Sequence, residues 1–318
     1  MPTNSFLILL RSKLQKKTLP PRYSNKTIGL VIILVISIII GLFLFLKDLP
    51  SPTGLGKPSS YPISTKILDR NGELLYEIYD DQNRTPIKLS DLPEYVKEAT
   101  ISIEDKNFYK HHGFDTGGIL RAAWKTVTGQ RLEGGSTITQ QLVKVALLTP
   151  ERTVERKVKE AILTVATEIL YSKNQILEMY LNHIPYGGTA YGIEAAAHRF
   201  FNKDAKDLTL PEATLLVGLP QAPSKYSPLA NPDAAKARQS LVLDRMVQDE
   251  YISESEAKTA SGEELKYAES GTNIRAPHFV MYVRQLLEEK YGIQKLEQGG
   301  LRVTTTLDIN LQDVAQAT

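Results

Sequence analysis

The sequence contains no cysteine, which excludes disulfides and thiolate zinc sites. Internal repeats and low-complexity tracts are also missing, and no glycine pair leads into the Gly-Lys-Ser/Thr of a P-loop. Net charge is small, +2 over 318 residues, which argues against a dedicated nucleic-acid binder. That charge is unevenly placed. Residues 1–27 hold six Lys or Arg and no Asp or Glu, and the remainder holds 32 basic and 36 acidic residues. With 42% hydrophobic and 23% charged residues, the rest reads as ordinary globular protein.

One long apolar run stands out. Residues 28–46, IGLVIILVISIIIGLFLFL, carry no charge and one serine. As a helix they span about 28 Å, close to the roughly 30 Å hydrocarbon core of a bilayer. No small-residue cleavage site follows at once, so a membrane anchor is expected rather than a signal peptide. Arg11, Lys13, Lys16, Lys17, Arg22 and Lys26 precede the run. The positive-inside rule then keeps the N-terminus cytoplasmic and exports the rest.

The expected organisation is a basic tail (1–27), an anchor (28–46) and a Pro/Gly/Ser-rich stalk (47–62). A main domain (63–249) and a trailing region (250–318) follow. Within 63–79, Asn71-Gly72 predicts a β-hairpin. Helices are predicted from about residue 90, from the Thr209/Glu212 capping box, and over 233–249, 253–261 and 277–291. A strand is predicted within 299–307. The chain then ends inside an unfinished helix, so a longer protein is expected.

Four segments gather polar residues at fixed spacing. In EDKNFYKHHG (104–113), Glu104 and Asp105 close a helical stretch. The negative end of the helix dipole disfavours a carboxylate there and suits it to acid or base work. A solvated loop is the plain alternative. His111 and His112 read as hydrogen-bonding residues, since adjacent histidines seldom reach one metal. In GGSTITQQLVK (134–144), Thr137 and Gln140 make a capping box. Helix starts of this kind bind anions, and Thr137, Gln141 and Lys144 recur on one face. A well-capped amphipathic helix is the alternative. In 151–170, Val154, Val158, Ile162, Val165 and Ile169 form an apolar stripe. Arg152, Arg156, Lys159 and Glu160 lie opposite, together with Leu163, which hints that this face is not simply open to water. Three cations and a carboxylate suit a diphosphate clamp, and a solvated face is the usual reading of such a pattern. The fourth segment, 172–201, reads as mostly structural, with core at Leu177, Tyr180 and Leu181 and small residues from Gly187 to Ala197.

In this order the segments resemble the family 51 glycosyltransferases, the peptidoglycan polymerases of class A penicillin-binding proteins. KNQILEMYLN (173–182), YGGTAYGIEAAAHRFF (186–201) and LTLPEATLLVGLPQAPSKYSP (208–228) add to the likeness. One departure is HRFFNK (198–203), where a tyrosine and a glycine are more usual. The resemblance implies a mainly α, lysozyme-like fold with two lobes around a cleft, behind a single transmembrane helix. A small β-hairpin precedes the domain and a short α/β linker region follows it. It implies Glu104 as general base and Glu160 as second active-site carboxylate. It implies Lys144, Arg152 and Lys159 as ligands of the donor's diphosphate, with Asp105 holding the first motif. Ser136, Thr137, Gln140, Gln141 and Arg156 would line or support the donor site.

The implied substrates are lipid II and the growing glycan, polymerised outside the membrane with release of undecaprenyl diphosphate. No cofactor is required by the sequence, although Mg²⁺ or Mn²⁺ assists some members of the family. The segment 113–129 mixes Ile, Leu and Trp with Arg and Lys and suits shallow membrane insertion. Ser255 and Lys258 spell Ser-x-x-Lys without the companion motifs of a transpeptidase, so no penicillin binding is expected. The rival readings are a lysozyme-like lytic enzyme and an inactive cell-wall scaffold.

Overall fold

The turn at Asn71 and Gly72 closes the predicted hairpin. Gly72 takes φ +91°, a left-handed backbone that carries no Cβ penalty in glycine. Asp69 fixes the turn from inside, its carboxylate accepting the backbone N–H groups of Asn71 (2.7 Å) and Glu73 (2.9 Å). The strands are β1 (Thr65–Leu68) and β2 (Leu74–Ile78), antiparallel with Thr65 opposite Ile78. This computed structural model describes residues 49–56, 62–79, 82–118, 135–149, 151, 153–268 and 274–316, and scattered positions from 29 to 47.

A second small sheet joins β3 (Asn83–Arg84), β4 (Pro185–Gly187) and β5 (Ala190–Tyr191), with β5 central. The helices that carry the bulk of the chain are α1 (Glu94–Glu104), α2 (Ile138–Leu147), α3 (Val154–Leu170), α4 (Lys173–His183) and α5 (Ile193–Phe201). They are followed by α6 (Leu210–Gly218), α7 (Pro232–Gln248) and α8 (Glu254–Gly262). Their starts follow local chemistry. Thr137 with Gln140, and Ser172 with Gln175, close both halves of a capping box, each cap contributing about 1 kcal/mol. Glu212 reaches back to the Thr209 N–H (2.9 Å), and Pro211 occupies the first turn of α6.

One core fills the space between these helices, with Phe108, Ile138, Leu142, Leu177, Tyr180 and Tyr186 among its fully buried members. Each large side chain removed from water stabilises the fold by about 1.5–3 kcal/mol. A second, smaller core lies under the hairpin. It joins Ile67, Leu75 and Ile78 to Val280, Leu296 and Ile309, carried by α9 (Pro277–Tyr291), α10 (Ile293–Gln298) and α11 (Ile309–Gln316). β6 (Arg302–Thr304), the strand expected within 299–307, pairs in parallel with β1. The hairpin thus takes sheet and core partners from 274–316, and it is also bonded to β3, where Asn83 meets Ser64 and Glu77.

Helix α3 decides which of its two faces is buried. Its apolar stripe faces outward, with Val154 83% and Ile169 78% exposed and Val158 and Val165 about half exposed. The buried face holds Glu160, Leu163, Thr164 and Thr167. Both threonines donate to carbonyls one turn back, Thr164 to Glu160 (2.7 Å) and Thr167 to Leu163 (2.8 Å). With their hydroxyls satisfied by their own helix, they bury at little polar cost. The hint from Leu163 holds: it is 1% exposed.

Residues 1–50 form a separate unit. Described positions from Gly29 to Lys47 are helical. Among the described residues, no helix is long and apolar enough to cross a membrane. Much of the expected anchor lies outside the described residues, as do the basic tail and most of the segment 113–129.

Candidate active site

Glu104 is the last residue of α1, and its side chain is 9% exposed. Its two oxygens are treated differently. The Gln141 amide donates to Oε2 at 2.6 Å. Oε1 is buried and has no hydrogen-bond partner among the described residues, while an Arg238 guanidinium nitrogen stands 3.7 Å away. Burial pushes the Glu104 carboxyl above the ordinary glutamate range; the Gln141 hydrogen bond and the charges of Arg238 and Lys144 pull it partly back. A carboxylate with one oxygen oriented and the other uncapped in a dry place is suited to take a proton.

Asp105 caps the C-terminal end of α1 and joins it to α2. Its carboxylate accepts the Ile138 N–H at 3.0 Å and faces His111 Nε2 at 2.8 Å. The Gly113 N–H points at His111 Nδ1 (3.2 Å), so the tautomer with the proton on Nε2 satisfies both bonds. Burial raises the Asp105 carboxyl, and the His111 bond opposes that rise. The anion expected at the start of α2 is therefore supplied by the chain itself. Thr137 adds a hydrogen bond to the Gly113 carbonyl (2.8 Å), and Gln140 accepts the Thr137 N–H. Thr137 and Gln140 are buried inside this joint; Ser136 is half-buried and Lys144 exposed.

The second carboxylate, Glu160, is 2% exposed on α3. Arg156 holds one oxygen at 2.7 Å and Lys157 the other. Lys159 pairs with Glu155 at 2.7 Å. The cations expected to converge on a ligand are thus engaged along α3 itself, and Arg152 lies outside the described residues. Lys157, which the helical projection left aside, reaches Glu160 together with Arg156.

The family description Transglycosylase matches residues 71–247, the stretch that holds all of this geometry. The chain belongs to the transglycosylase family. It is 42% identical over 262 residues to penicillin-binding protein 1F of Bacillus subtilis, covering 79% of this chain and 36% of that one. It is 38% identical over 290 residues to penicillin-binding protein 1A of Aquifex aeolicus, covering 91% and 40%. This transglycosylase sequence therefore spans well under half the length of those relatives. A solved structure of penicillin-binding protein 1A from Haemophilus influenzae aligns with 80% of this chain and 28% of its own, at 26% identity and a TM-score of 0.42.

Elsewhere in the transglycosylase domain, the polar residues of the fourth segment serve the scaffold. Asn182 clips the strand-like segment at Ile87, accepting its N–H (2.9 Å) and donating to its carbonyl (2.8 Å). Glu178 accepts the Leu89 N–H at 2.7 Å. Gly192 lies so near Asn182 that a Cβ would fall 2.9 Å from its carbonyl oxygen. Asn202 stands where glycine is more usual and takes φ 53°, a left-handed helix cap that asparagine tolerates. Among the described residues, Glu194, His198 and Asp204 make one cluster with metal-ligand geometry. Glu194 Oε1 and Asp204 Oδ1 lie 3.2 and 3.4 Å from His198 Nε2, while their other oxygens hold the Ala205 N–H and Lys206.

Sequence reasoning missed Arg238. A signal was present: Arg238 interrupts the apolar stripe that Ala235, Val242 and Met246 make on α7. A lone cation on a core-facing stripe needs a buried partner, and Glu104 is that partner.

Proposed function

We propose that this chain is a peptidoglycan glycosyltransferase that joins lipid II units into glycan strands at the outer face of the cytoplasmic membrane. The observation that carries the reading is Glu104, buried with Oε2 held by Gln141 and Oε1 uncapped, inside the stretch matched to the family. In the proposed step, Oε1 takes the proton of the 4-hydroxyl of the incoming sugar. That hydroxyl oxygen bonds to C1 of the growing chain. The bond from C1 to the diphosphate oxygen breaks, configuration inverts, and undecaprenyl diphosphate leaves with the electron pair.

Lys144, Arg152 and Lys159 receive the diphosphate in this scheme, with Ser136 and Arg156 beside them. Cations stabilise the charge that grows on the leaving group. Glu160 acts through Arg156 and Lys157, whose positions it fixes. Asp105, Thr137 and Gln140 hold the joint between α1 and α2, and Gln141 aims the base. The catalytic part is a lysozyme-like, two-lobed helical domain behind a single-pass anchor at 28–46. The outward stripe of Val154, Val158, Val165 and Ile169 supports a bilayer-side location, since lipid accepts an aliphatic face that water disfavours.

The test is polymerisation of fluorescent lipid II by the detergent-solubilised chain beside its Glu104→Gln variant. Long glycan from the parent and none from the variant is expected. Product from both would remove Glu104 from the role of base. No product from either, with folding verified, would sink the activity.

A further inference from the structure

Side chains from four elements and the adjoining turn face the Glu104 carboxylate, all but one of them charged or titratable. α2 contributes Gln141 and Lys144, α4 Tyr180, β4 Tyr186, α7 Arg238, and the adjoining turn Asp105. Both tyrosines are pushed above their ordinary range, first by burial and then by the Glu104 charge, so they face it as neutral phenols. Arg238 is the one buried cation in the set, with its side chain 7% exposed.

Arg238 does not rest on Glu104 for its place. Its Nε–H donates to the Gly218 carbonyl at 3.1 Å, and its guanidinium lies 5.6 Å from the centre of the Tyr226 ring. Gly218 makes the room: a Cβ there would fall 2.9 Å from Arg238 Cγ. The far end of α7 is tied to the same motif, where Asp249 pairs with Lys106. α7 therefore braces the first motif at two points. The brace stops the guanidinium 3.7 Å from Oε1, near enough to act as counter-charge and too far to make a hydrogen bond. A closer, bidentate arginine would occupy the lone pairs that a base must use. Without a cation, a carboxylate in this place would favour its protonated form.

We propose that Arg238 is the positioning residue of Glu104: anchored on Gly218 and Tyr226, it supplies the counter-charge for the buried carboxylate while leaving Oε1 open to a proton. The proposal rests on Glu104 as the base and extends that reading to a residue outside the polar segments.

The experiment compares the full chain with Arg238→Gln, Arg238→Lys and Gly218→Ala. The last keeps the charge but displaces it. Two readouts are taken: the pH profile of kcat/KM with lipid II, and the carbon-13 titration of the Glu104 carboxyl without substrate, assigned with Glu104→Gln. In Arg238→Gln the acid limb should move up by about 1 pH unit or more, with activity on the acid side of the limb falling about tenfold and recovering at higher pH. Arg238→Lys should restore part of the shift, and Gly218→Ala should move the limb in the direction of Arg238→Gln. The carboxyl titration should move with the limb. A uniform loss at every pH, with the carboxyl titration unmoved in all three variants, would overturn the proposal. A moved titration with an unmoved limb would keep the Arg238 pairing and overturn Glu104 as the base.

Discussion

Two carboxylates, Glu104 and Glu160, are buried to a similar degree and held in opposite ways. Glu160 has both oxygens clamped by cations of its own helix, Arg156 and Lys157. Glu104 has one oxygen held by a neutral amide and the other left to a cation standing off at 3.7 Å. The difference lies in the partners' reach. Arg156 and Lys157 sit one turn or less from Glu160, so the pairing is local and tight. Arg238 reaches Glu104 from another helix and is stopped by its own anchors. Burial alone therefore does not distinguish the two sites; the uncapped Oε1 of Glu104 does.

The largest expected effect falls on Glu104. Glu104→Gln should lower the rate of glycan formation by about 10²–10⁴-fold, the usual contribution of a general base, with near-native circular dichroism. Equal losses from Glu160→Gln, with its fold equally intact, would break the contrast between the two sites. Stability gives the next test. His183 is 4% exposed and donates from Nδ1 to the Met179 carbonyl. Burial, aided by the Arg84 charge, lowers it to about 4. Its folded value lies below the unfolded value near 6.5, so the unfolded chain binds the proton first. Stability should therefore fall by about 3 kcal/mol as pH drops from 6.5 to 4, and His183→Gln should remove that slope in denaturant titrations. An unchanged slope would assign the acid sensitivity to the carboxylates instead. Asn182→Ala leaves the Ile87 N–H and carbonyl unpaired and should cost about 2–4 kcal/mol, visible as a lower urea midpoint. Glu160→Gln should cost less, about 1–2 kcal/mol, because Lys157 can turn to water and salt screens the rest. The smallest effect belongs to Val158→Ser on the outward stripe, within about 0.5 kcal/mol by chemical denaturation; a larger loss would mean that the stripe is covered.

What could be read in the sequence was mostly local. The capping boxes at Thr137 and Ser172, the turn at Gly72 and the ends of α7 to α9 follow from residues within four positions of one another. So does the pairing of Arg156 with Glu160. Misreadings arose where a residue's partner was distant or hidden. The α3 projection gave a stripe without saying which face is buried, and buried Thr164 and Thr167 look polar in a projection that omits their own-helix hydrogen bonds. The start of α2 looked like an anion site because Asp105, its occupant, stands 33 residues away. Asn182 lies in the segment read as mostly structural, and its partner there, Ile87, stands 95 residues back. Arg238 carried no motif at all, only the oddity of a charge on an apolar stripe.

The parallel pairing of β1 with β6 has a consequence for how the chain is made. Leu301 donates to Thr65 across 236 residues of sequence. At about 5–20 residues per second, the ribosome delivers that partner about 10–50 s after the hairpin has emerged. During that interval the outer edge of β1 is unsatisfied while helices α1 to α8 are being synthesised. The hairpin must wait, and an edge that waits is an invitation to pair with a neighbouring nascent chain. Lys66, paired with Glu77 of β2 across the hairpin, places charge on the strand that has longest to wait.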